Sequence, residues 1–297
     1  MKSYKFYWQK YAPQSIQSVV KLYSDSDLNK ARRSFLLKNS KPIKNQQTEI
    51  QEAISFLKTH RFSSLPYFWS LKYDNFTTEI YFDKQFSFHY IIFEGKKLYF
   101  PKHYSQFQIL WTMRGILKEQ DRNSAHCYLT DEFQVENGSI VIDGGVAEGS
   151  FSLSIIEKIK KLYLIECQPE WIEALKLTFF PWKDKVEIIG KYLSDSDSEN
   201  TVSVDNFVEV QESEKYFVKF DIEGYEMLAF EGMKKFFDET KNLKMCVCTY
   251  HHEEDAQNIN KYLTDKGLNC NFSDSYIVFV DENEVPGFRK ALIRTEK

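Results

Sequence analysis

The chain contains 297 residues with a mass of 35.3 kDa, which is enough for one large or two ordinary domains around a sizeable core. Hydrophobic residues make up 42% of it and charged residues 28%, so a disordered or fibrous protein is excluded. The formal charge of −4 gives no overall positive field that would attract nucleic acid or an anionic membrane.

The expected cellular compartment is inferred from features that the sequence does not show. No apolar run is long enough for a membrane span, and the first residues lack the apolar stretch of a signal peptide. The five cysteines are an odd number in a large chain and indicate no disulfide framework. We therefore expect a cytoplasmic protein without a nucleic-acid partner, and the oligomeric state stays open.

The first part of the chain is rich in aromatic residues and mixes helical and strand-like patterns. We expect residues 1–123 to form an accessory or substrate domain of mixed α+β structure. Its aromatic side chains either fill a core or stack on sugar rings, and the core interpretation is favoured. The predicted elements are helices at 11–23, 27–38, 46–59 and 104–119, and strands at 79–82, 86–93 and 97–100, with a hairpin turn at 94–96.

The second part, residues 124–297, changes character near residue 131, where strands begin to alternate with helices. This alternation predicts a parallel α/β sheet with helices on both faces. The predicted strands are 139–143, 161–166, 185–190, 216–221, 243–249, 268–272 and 276–280, and the predicted helices are 149–160, 169–178, 224–237 and 254–266.

A turn of small residues, Asp143-Gly-Gly-Val-Ala-Glu-Gly149, joins the first of these strands to its helix. Such a turn lets a ligand approach the backbone closely, and a helix N-terminus favours a negative group. A dinucleotide fingerprint would need glycine where Val146 stands, whose side chain would obstruct a pyrophosphate. The spacing D-x-G-x-G-x-G, with Ala147 in place of one glycine, suits a smaller ligand end that carries one carboxylate and one ammonium group.

Three further acids follow strand ends. Glu166 ends the second strand of this part, where an acid can accept the hydroxyls of a ribose. Asp221 and Glu223 follow a later strand, in the segment Asp-Ile-Glu-Gly-Tyr-Glu226. Because ligands bind beyond the carboxyl ends of strands in an open α/β sheet, we expect Asp143 and these three acids to gather at one edge.

The sequence here resembles the FkbM-type S-adenosylmethionine-dependent methyltransferases, over roughly residues 124–280. The most specific part of the resemblance is the D-x-E-G-x-E element, followed by a hydrophobic helix and a later Gly232. The family often has G-A-N-x-G where this chain has Gly145-Val-Ala-Glu. The segments that carry the resemblance are VIDGGVAEGSFSL, LIECQPEW, SVDNF, VKFDIEGYEMLAFEG and CVCTYHHEEDAQNI.

The resemblance implies a Rossmann-like seven-stranded methyltransferase sheet and O-methylation of a sugar, glycan or small-molecule hydroxyl. It also implies roles for individual residues. Asp221 and Glu223 would face the acceptor hydroxyl, either directly or through a metal. The methionine end of S-adenosylmethionine would lie against Asp143, Gly144, Gly145, Ala147, Glu148 and Gly149, its ribose against Glu166, and its adenine against Tyr192, Leu193 and Ser194.

An alcohol oxygen that accepts a methyl group must lose its proton, which requires a general base or a polarising metal. The catalytic candidates are Asp221, Glu223 and His251, which follows the predicted strand 243–249. Cys246 and Cys248 invite a zinc interpretation, but they fall on one face of a strand predicted to be buried, and no second ligand pair has zinc-like spacing. Mg²⁺ held by Asp221 and Glu223 is the more credible metal, although we predict no metal site.

Two questions stay open at this stage. The polar segment 119–128 either lays His126 and Tyr128 over the cofactor as a lid or simply connects the two domains. The alternative functions are an NAD-dependent sugar-modifying oxidoreductase, against which Val146 argues, and a catalytically silent binding scaffold, against which the intact acids argue.

Overall fold

The computed structural model describes residues 27–40, 48–280 and 285–297, so the helix predicted at 11–23 lies outside the described residues. The helices are α1 Asp27–Asn39, α2 Thr48–Thr59, α3 Gln106–Glu119, α4 Ser150–Ile155, α5 Pro169–Thr178, α6 Val204–Phe207, α7 Glu226–Glu231, α8 Lys234–Glu239 and α9 Asp255–Asp265. The strands are β1 Tyr81–Asp83, β2 Phe88–Phe93, β3 Lys96–Tyr99, β4 Ile140–Gly144, β5 Lys161–Ile165, β6 Val186–Ile189, β7 Tyr192–Leu193, β8 Thr201–Val202, β9 Lys215–Phe220, β10 Asn242–Cys248, β11 Asn269–Phe272, β12 Ile277–Val280, β13 Pro286–Arg289 and β14 Leu292–Glu296.

The chain divides into two compact units. The smaller comprises the described residues up to Lys72 together with those of Tyr276–Phe288, and the larger comprises Tyr73–Ser275 and Arg289–Lys297. This division differs from the predicted boundary at residue 123, because the β1–β3 hairpins and helix α3 lie in the larger unit. The accessory role of residues 1–123 stays a prediction.

The smaller unit contains α1 and α2, which match the helices predicted from apolar spacing at 27–38 and 46–59. Leu36 of α1 packs with Phe56 and Leu57 of α2 and with Val278 of β12 in a buried cluster. The apolar residues of α2 recur three and four positions apart, so that one face of the helix is buried.

The larger unit is built on a seven-stranded sheet in the order β11-β14-β10-β9-β4-β5-β6. Adjacent residues of its central strands point to opposite faces, so both faces are buried. Val141 and Phe217 pack into one core layer, whereas Ile142 and Val218 pack into the other. This double burial explains why the strands read as continuous apolar runs. The predicted Rossmann-like sheet is confirmed.

The seventh strand of this sheet was predicted in the wrong place. The strand expected at 276–280 exists as β12, but it pairs with β13 in a separate two-stranded sheet. Strand β14 takes the seventh position and runs antiparallel between β10 and β11, so the sheet is mixed rather than wholly parallel. The charged residues Arg294 and Glu296 interrupt its apolar pattern, which is why the sequence did not reveal it.

The helix predicted at 224–237 is interrupted. It forms α7 and α8, which are separated at Gly232 and Met233. A Cβ on Gly232 would lie only 2.0 Å from the carbonyl oxygen of Ser194, so the chain passes too close for a side chain. Within the described part of the chain, no helix combines the length and apolar character that crossing a membrane requires.

Candidate functional site

Four neighbouring parallel strands, in the order β10, β9, β4 and β5, end at one edge of the sheet, which we call the rim. Ligands of open α/β sheets bind beyond such an edge, where the chain connections diverge to opposite sides. In this sheet β4 and β9 are neighbours, but the chain leads from β4 to β5 on one side and from β9 to β10 on the other. The expected binding position therefore lies between the ends of β4 and β9. The predicted residues that lie at or just beyond these strand ends on the rim are Asp143, Glu166, Asp221, Glu223 and His251.

The glycine turn after β4 is packed against the end of β9. Gly145 has a φ of 72°, and a Cβ on it would lie 1.8 Å from the carbonyl oxygen of Asp221. Its N–H donates to the carbonyl of Ile165 at the end of β5 (3.0 Å), and the N–H of Asp221 donates to the carbonyl of Gly144 (3.1 Å). Gly145 is therefore required by contact between chain segments, and the turn fastens three strand ends together.

Asp143 is buried, with 1% of the residue exposed, and its carboxylate is held from two sides. Lys219 Nζ lies 3.0 Å from its Oδ1, and Ser152 Oγ donates to its Oδ2 at 2.7 Å. The same ammonium donates to the carbonyls of Gly144 (3.3 Å) and Gly145 (2.6 Å). Asp143 thus acts on the turn through a buried lysine, and its predicted direct contact with a cofactor stays a prediction.

Lys219 remains charged in this setting. Burial lowers the pKa of its ammonium, but the carboxylates of Asp143 and Asp221 more than offset this and raise the pKa above its usual value. The ammonium also lies 5.3 Å from the centroid of the Tyr128 ring. The turn is therefore braced by a cation that the motif analysis did not identify.

Glu166 follows β5 and contacts the turn directly. Its Oε2 accepts the N–H of Ala147 at 2.9 Å, and its Oε1 accepts the N–H of Gln168 at 2.8 Å. Burial raises the pKa of this carboxyl, although the two backbone hydrogen bonds work against that rise. The carboxylate orientation is thus fixed, and its remaining lone pairs can accept ligand hydroxyls.

The segment predicted to flank an adenine lies beside the same turn. A Cβ on Gly144 would lie 2.5 Å from Leu193 Cδ1, which places that side chain against the turn. Leu193 and Ser194 are buried, and Tyr192 is half-buried. Glu148 within the turn is also half-buried, and its Oε1 accepts the hydroxyl of Ser150 at 2.6 Å.

Asp221 is surrounded by hydrogen-bond donors from two other segments. Tyr128 OH donates to its Oδ2 at 2.9 Å, and Tyr250 OH donates to its Oδ1 at 3.2 Å. His126 Nε2 and His251 Nε2 lie 3.5 and 3.4 Å from the same carboxylate. Burial would raise the pKa of Asp221, but the two imidazoles hold it well below its usual value, so the group is ionised.

The segment 119–128 forms a wall of this site. His126 and Tyr128 are buried, and Gln120 binds them through its side-chain amide, which accepts the N–H of Tyr128 (3.1 Å) and donates to the carbonyl of His126 (3.3 Å). Arg294 Nε donates to the carbonyl of Tyr128 at 3.2 Å.

At the start of the segment, burial raises the pKa of the half-buried Glu119 to about 7. Of the two interpretations of this segment, the structure agrees with the one that brings His126 and Tyr128 to the site. The residues that the sequence did not place at the rim are Lys219, Glu226 and Tyr250.

The other two catalytic candidates differ in accessibility. Glu223 has a φ of 58° and a side chain that is 68% exposed, whereas His251 is 2% exposed. His251 Nε2 lies 3.8 Å from Glu223 Oε2. The structure therefore brings Asp221, Glu223 and His251 into one group, of which Glu223 is the most accessible member.

Two groups of side chains among the described residues are arranged closely enough to hold a metal ion. Both include an imidazole, and the first also includes a thiol whose pKa is raised by burial. Neither is the all-oxygen set that Mg²⁺ prefers, so the earlier suggestion of Mg²⁺ gains no support from them. The groups are His126, Asp221 and Cys248, and Glu226, His251 and Asp255.

A separate hollow of about 430 Å³ lies at the opposite end of the sheet, where β9 and β10 begin. Two of its three lysines are paired with one acid: Glu136 lies 2.7 Å from Lys215 Nζ and 3.2 Å from Lys244 Nζ. The chemistry of the rim is therefore independent of this hollow.

The geometry of the rim can be set against known proteins. Residues 161–273 match the model of the methyltransferase FkbM domain. The matched region contains Glu166, Asp221, Glu223 and His251, and the resemblance expected from the sequence is thereby confirmed. Residues 161–273 are thus similar to the FkbM methyltransferase domain, whereas no curated protein sequence matches the chain.

The solved structures to which this chain is similar are distant in sequence. The FkbM methyltransferase of Methylobacillus flagellatus KT is 15% identical with a TM-score of 0.48, and the match covers 63% of this chain and 54% of that one. The chain therefore spans about half the length of that relative. The precorrin-6y C5,15-methyltransferase of Geobacter metallireducens GS-15 is 9% identical (TM-score 0.38; 55% and 82% covered). An rRNA methylase of Streptococcus thermophilus is 16% identical (TM-score 0.37; 55% and 89% covered).

Proposed function

We propose that this protein is an S-adenosylmethionine-dependent O-methyltransferase that acts on a hydroxyl of a sugar, a glycan or a small molecule. One observation carries the proposal. At the rim, the fixed carboxylate of Glu166 contacts the glycine turn, while the ionised Asp221 lies beside Gly145 among tyrosine and histidine donors. The proposed cofactor subsite and the anionic group that would orient the acceptor are thus adjacent.

The residues of the turn fit the cofactor through their donor and acceptor chemistry. The carboxylate of Glu166 is oriented by two N–H groups, so it can accept two vicinal hydroxyls without reorganising. Gly144–Gly149 would hold the methionine part, with Asp143 acting through Lys219, and Tyr192–Ser194 would flank the adenine. When bound, S-adenosylmethionine supplies a methyl group on a sulfonium.

The acceptor hydroxyl would be oriented by the group around Asp221. An ionised carboxylate accepts a hydrogen bond from an alcohol and thereby fixes the orientation of the alcohol's hydroxyl group. Glu223 is exposed enough to contact the acceptor directly and would take the hydroxyl proton as the methyl group passes from sulfur to oxygen, leaving S-adenosylhomocysteine. His251 stabilises the charge of Asp221 from within the protein. Alignment of this kind contributes several kcal/mol to a bimolecular displacement.

Binding calorimetry with the full chain tests the cofactor assignment. S-adenosylmethionine and S-adenosylhomocysteine should release heat, and NAD should not. Heat from NAD alone would indicate an oxidoreductase, and no heat from any of the three would indicate a binding scaffold.

The acceptor class needs a separate measurement. The protein would be incubated with S-adenosylmethionine carrying a ¹³C-labelled methyl group and with oligosaccharides, small polyols and RNA, followed by mass spectrometry. We expect the label on a hydroxyl oxygen of a sugar or polyol. Labelled RNA, or a label on nitrogen or carbon, would contradict the proposal.

A further inference from the structure

The third acid of the D-x-E-G-x-E element, Glu226, has no role in the function proposed above. It lies in the first turn of α7 and is only 1% exposed. Its Oε1 accepts the N–H of Ile222 at 3.0 Å and lies 3.2 Å from His251 Nδ1. A carboxylate this deeply buried needs a partner, and the imidazole of His251 supplies one.

The opposite side of the same imidazole faces the rim. His251 Nε2 lies 3.4 Å from Asp221 Oδ1 and 3.8 Å from Glu223 Oε2. His251 therefore stands between a buried carboxylate on one nitrogen and two rim carboxylates on the other.

The backbone around His251 is held in place as well. One nitrogen of the Arg289 guanidinium donates to the carbonyls of Tyr250 (2.7 Å) and His251 (2.8 Å). The main chain cannot then turn the imidazole away from Glu226 without breaking these two charge-assisted hydrogen bonds.

We propose that Glu226 is a positioning residue: it receives the Nδ1–H of His251 and so directs the Nε2–H of the imidazolium to Asp221. The role of this pair in methyl transfer rests on the proposed function, whereas the orientation of the imidazole rests on the geometry alone. A buried carboxylate that orients a histidine toward a reacting group is a recurring arrangement in enzymes.

The charges around His251 agree with this assignment. Burial lowers the pKa of the imidazole, but Glu226, Asp221 and Glu223 outweigh it and raise the pKa well above its usual value. Asp255 at the start of α9 adds a further negative charge nearby, and the positive Arg289 donates to two backbone carbonyls beside the imidazole. At neutral pH both nitrogens therefore carry protons, with Nδ1–H facing Glu226 and Nε2–H facing Asp221.

Histidine NMR of the full chain tests the proposal without any acceptor. With ¹⁵N- and ¹³C-labelled histidine, the His251 signal is assigned by its loss in His251→Asn and then titrated in wild type and Glu226→Gln. Glutamine keeps the size and an acceptor oxygen but removes the charge. We expect the His251 pKa to fall by about one pH unit or more in Glu226→Gln, since an opposite charge within hydrogen-bonding distance shifts a pKa by that amount.

The matched control is Glu231→Gln on the same helix, because Glu231 is exposed and forms a surface pair with the neighbouring Lys234. This variant should leave the His251 titration unchanged. An unchanged titration in Glu226→Gln, or a wild-type His251 that is neutral at pH 7, would overturn the proposal. Should Glu226→Gln not fold, Glu226→Asp, which keeps the charge but shortens the side chain, should show a changed ¹⁵N shift at Nδ1; an unchanged shift would count against the pair.

The same samples separate this proposal from the proposed function. If S-adenosylmethionine fails to bind the wild type, the proposed function is wrong, while the NMR titration still decides the role of Glu226. If it binds wild type and Glu226→Gln equally, Glu226 acts on His251 and not on the cofactor site. Once an acceptor is identified, Glu226→Gln should shift the pH profile of kcat and leave the KM for the cofactor unchanged.

Discussion

Replacement of the buried Lys219 by methionine should strongly destabilise the protein. The substitution removes the ion pair to Asp143 at 3.0 Å and the hydrogen bonds to the carbonyls of Gly144 and Gly145 at 3.3 and 2.6 Å. Asp143 would keep only the hydroxyl of Ser152 as a partner and is 1% exposed, so water cannot replace the ammonium. Removing one partner of a buried pair costs about 3–5 kcal/mol, and we expect that loss in the free energy of unfolding.

Urea unfolding at pH 7, followed by circular dichroism and tryptophan fluorescence, measures the effect. Lys161→Met is the matched control, because Lys161 also lies on a strand of the sheet but forms an exposed pair with Glu187 at 3.0 Å. Surface pairs of this kind contribute about 0–1 kcal/mol. The reasoning is refuted if Lys219→Met costs no more than this control. Where Lys219→Met does not fold, the double variant with Asp143→Leu should regain stability, because no uncompensated charge is then buried.

Three further predictions concern the rim. Glu166→Ala should weaken binding of S-adenosylmethionine by about 1–3 kcal/mol in calorimetry, since ligand hydroxyls lose their acceptor, and an unchanged Kd would remove Glu166 from the site. Gly145→Ala should lower stability to urea far more than Gly95→Ala, because both residues have positive φ but only at Gly145 would the new Cβ meet a backbone oxygen, at 1.8 Å. The Glu119 pKa of about 7 lies above its usual value, so the ionised form is disfavoured in the folded protein and stability should fall as pH rises from 5 to 8. Glu119→Gln should flatten that fall in urea unfolding, and an identical pH dependence in both proteins would contradict this.

The sequence predicted those parts of the fold that local patterns encode. Continuous apolar runs predicted the strands β4, β5, β9 and β10. The acids at the ends of these strands were correctly expected at one edge of the sheet, because parallel strands in one sheet share a direction. The position of β14 could not be read in this way. Its charged residues obscure the pattern, and its place between β10 and β11 depends on pairing with strands far away in the chain.

Local sequence patterns could not predict the partners of the rim acids, for the same reason. Tyr128 and Asp221 are hydrogen-bonded although 93 positions separate them, and Lys219 reaches Gly145 across 74 positions. No spacing rule links such residues, since only the folded sheet brings them together. A lysine inside an otherwise apolar strand is nevertheless a signal, because an ammonium is rarely buried without an anionic partner.

Strand β14 and the residue Arg289 before it have a consequence for how the protein is made. Arg289 secures the carbonyls of Tyr250 and His251, and Arg294 secures those of Cys127 and Tyr128. Both flanks of Asp221 are thus fastened by residues that follow the other six strands of the seven-stranded sheet in the sequence. A nascent chain that has already built β4, β5 and β9 would still lack Arg289 and Arg294, so the segments on either side of Asp221 stay unsecured until β14 has been made.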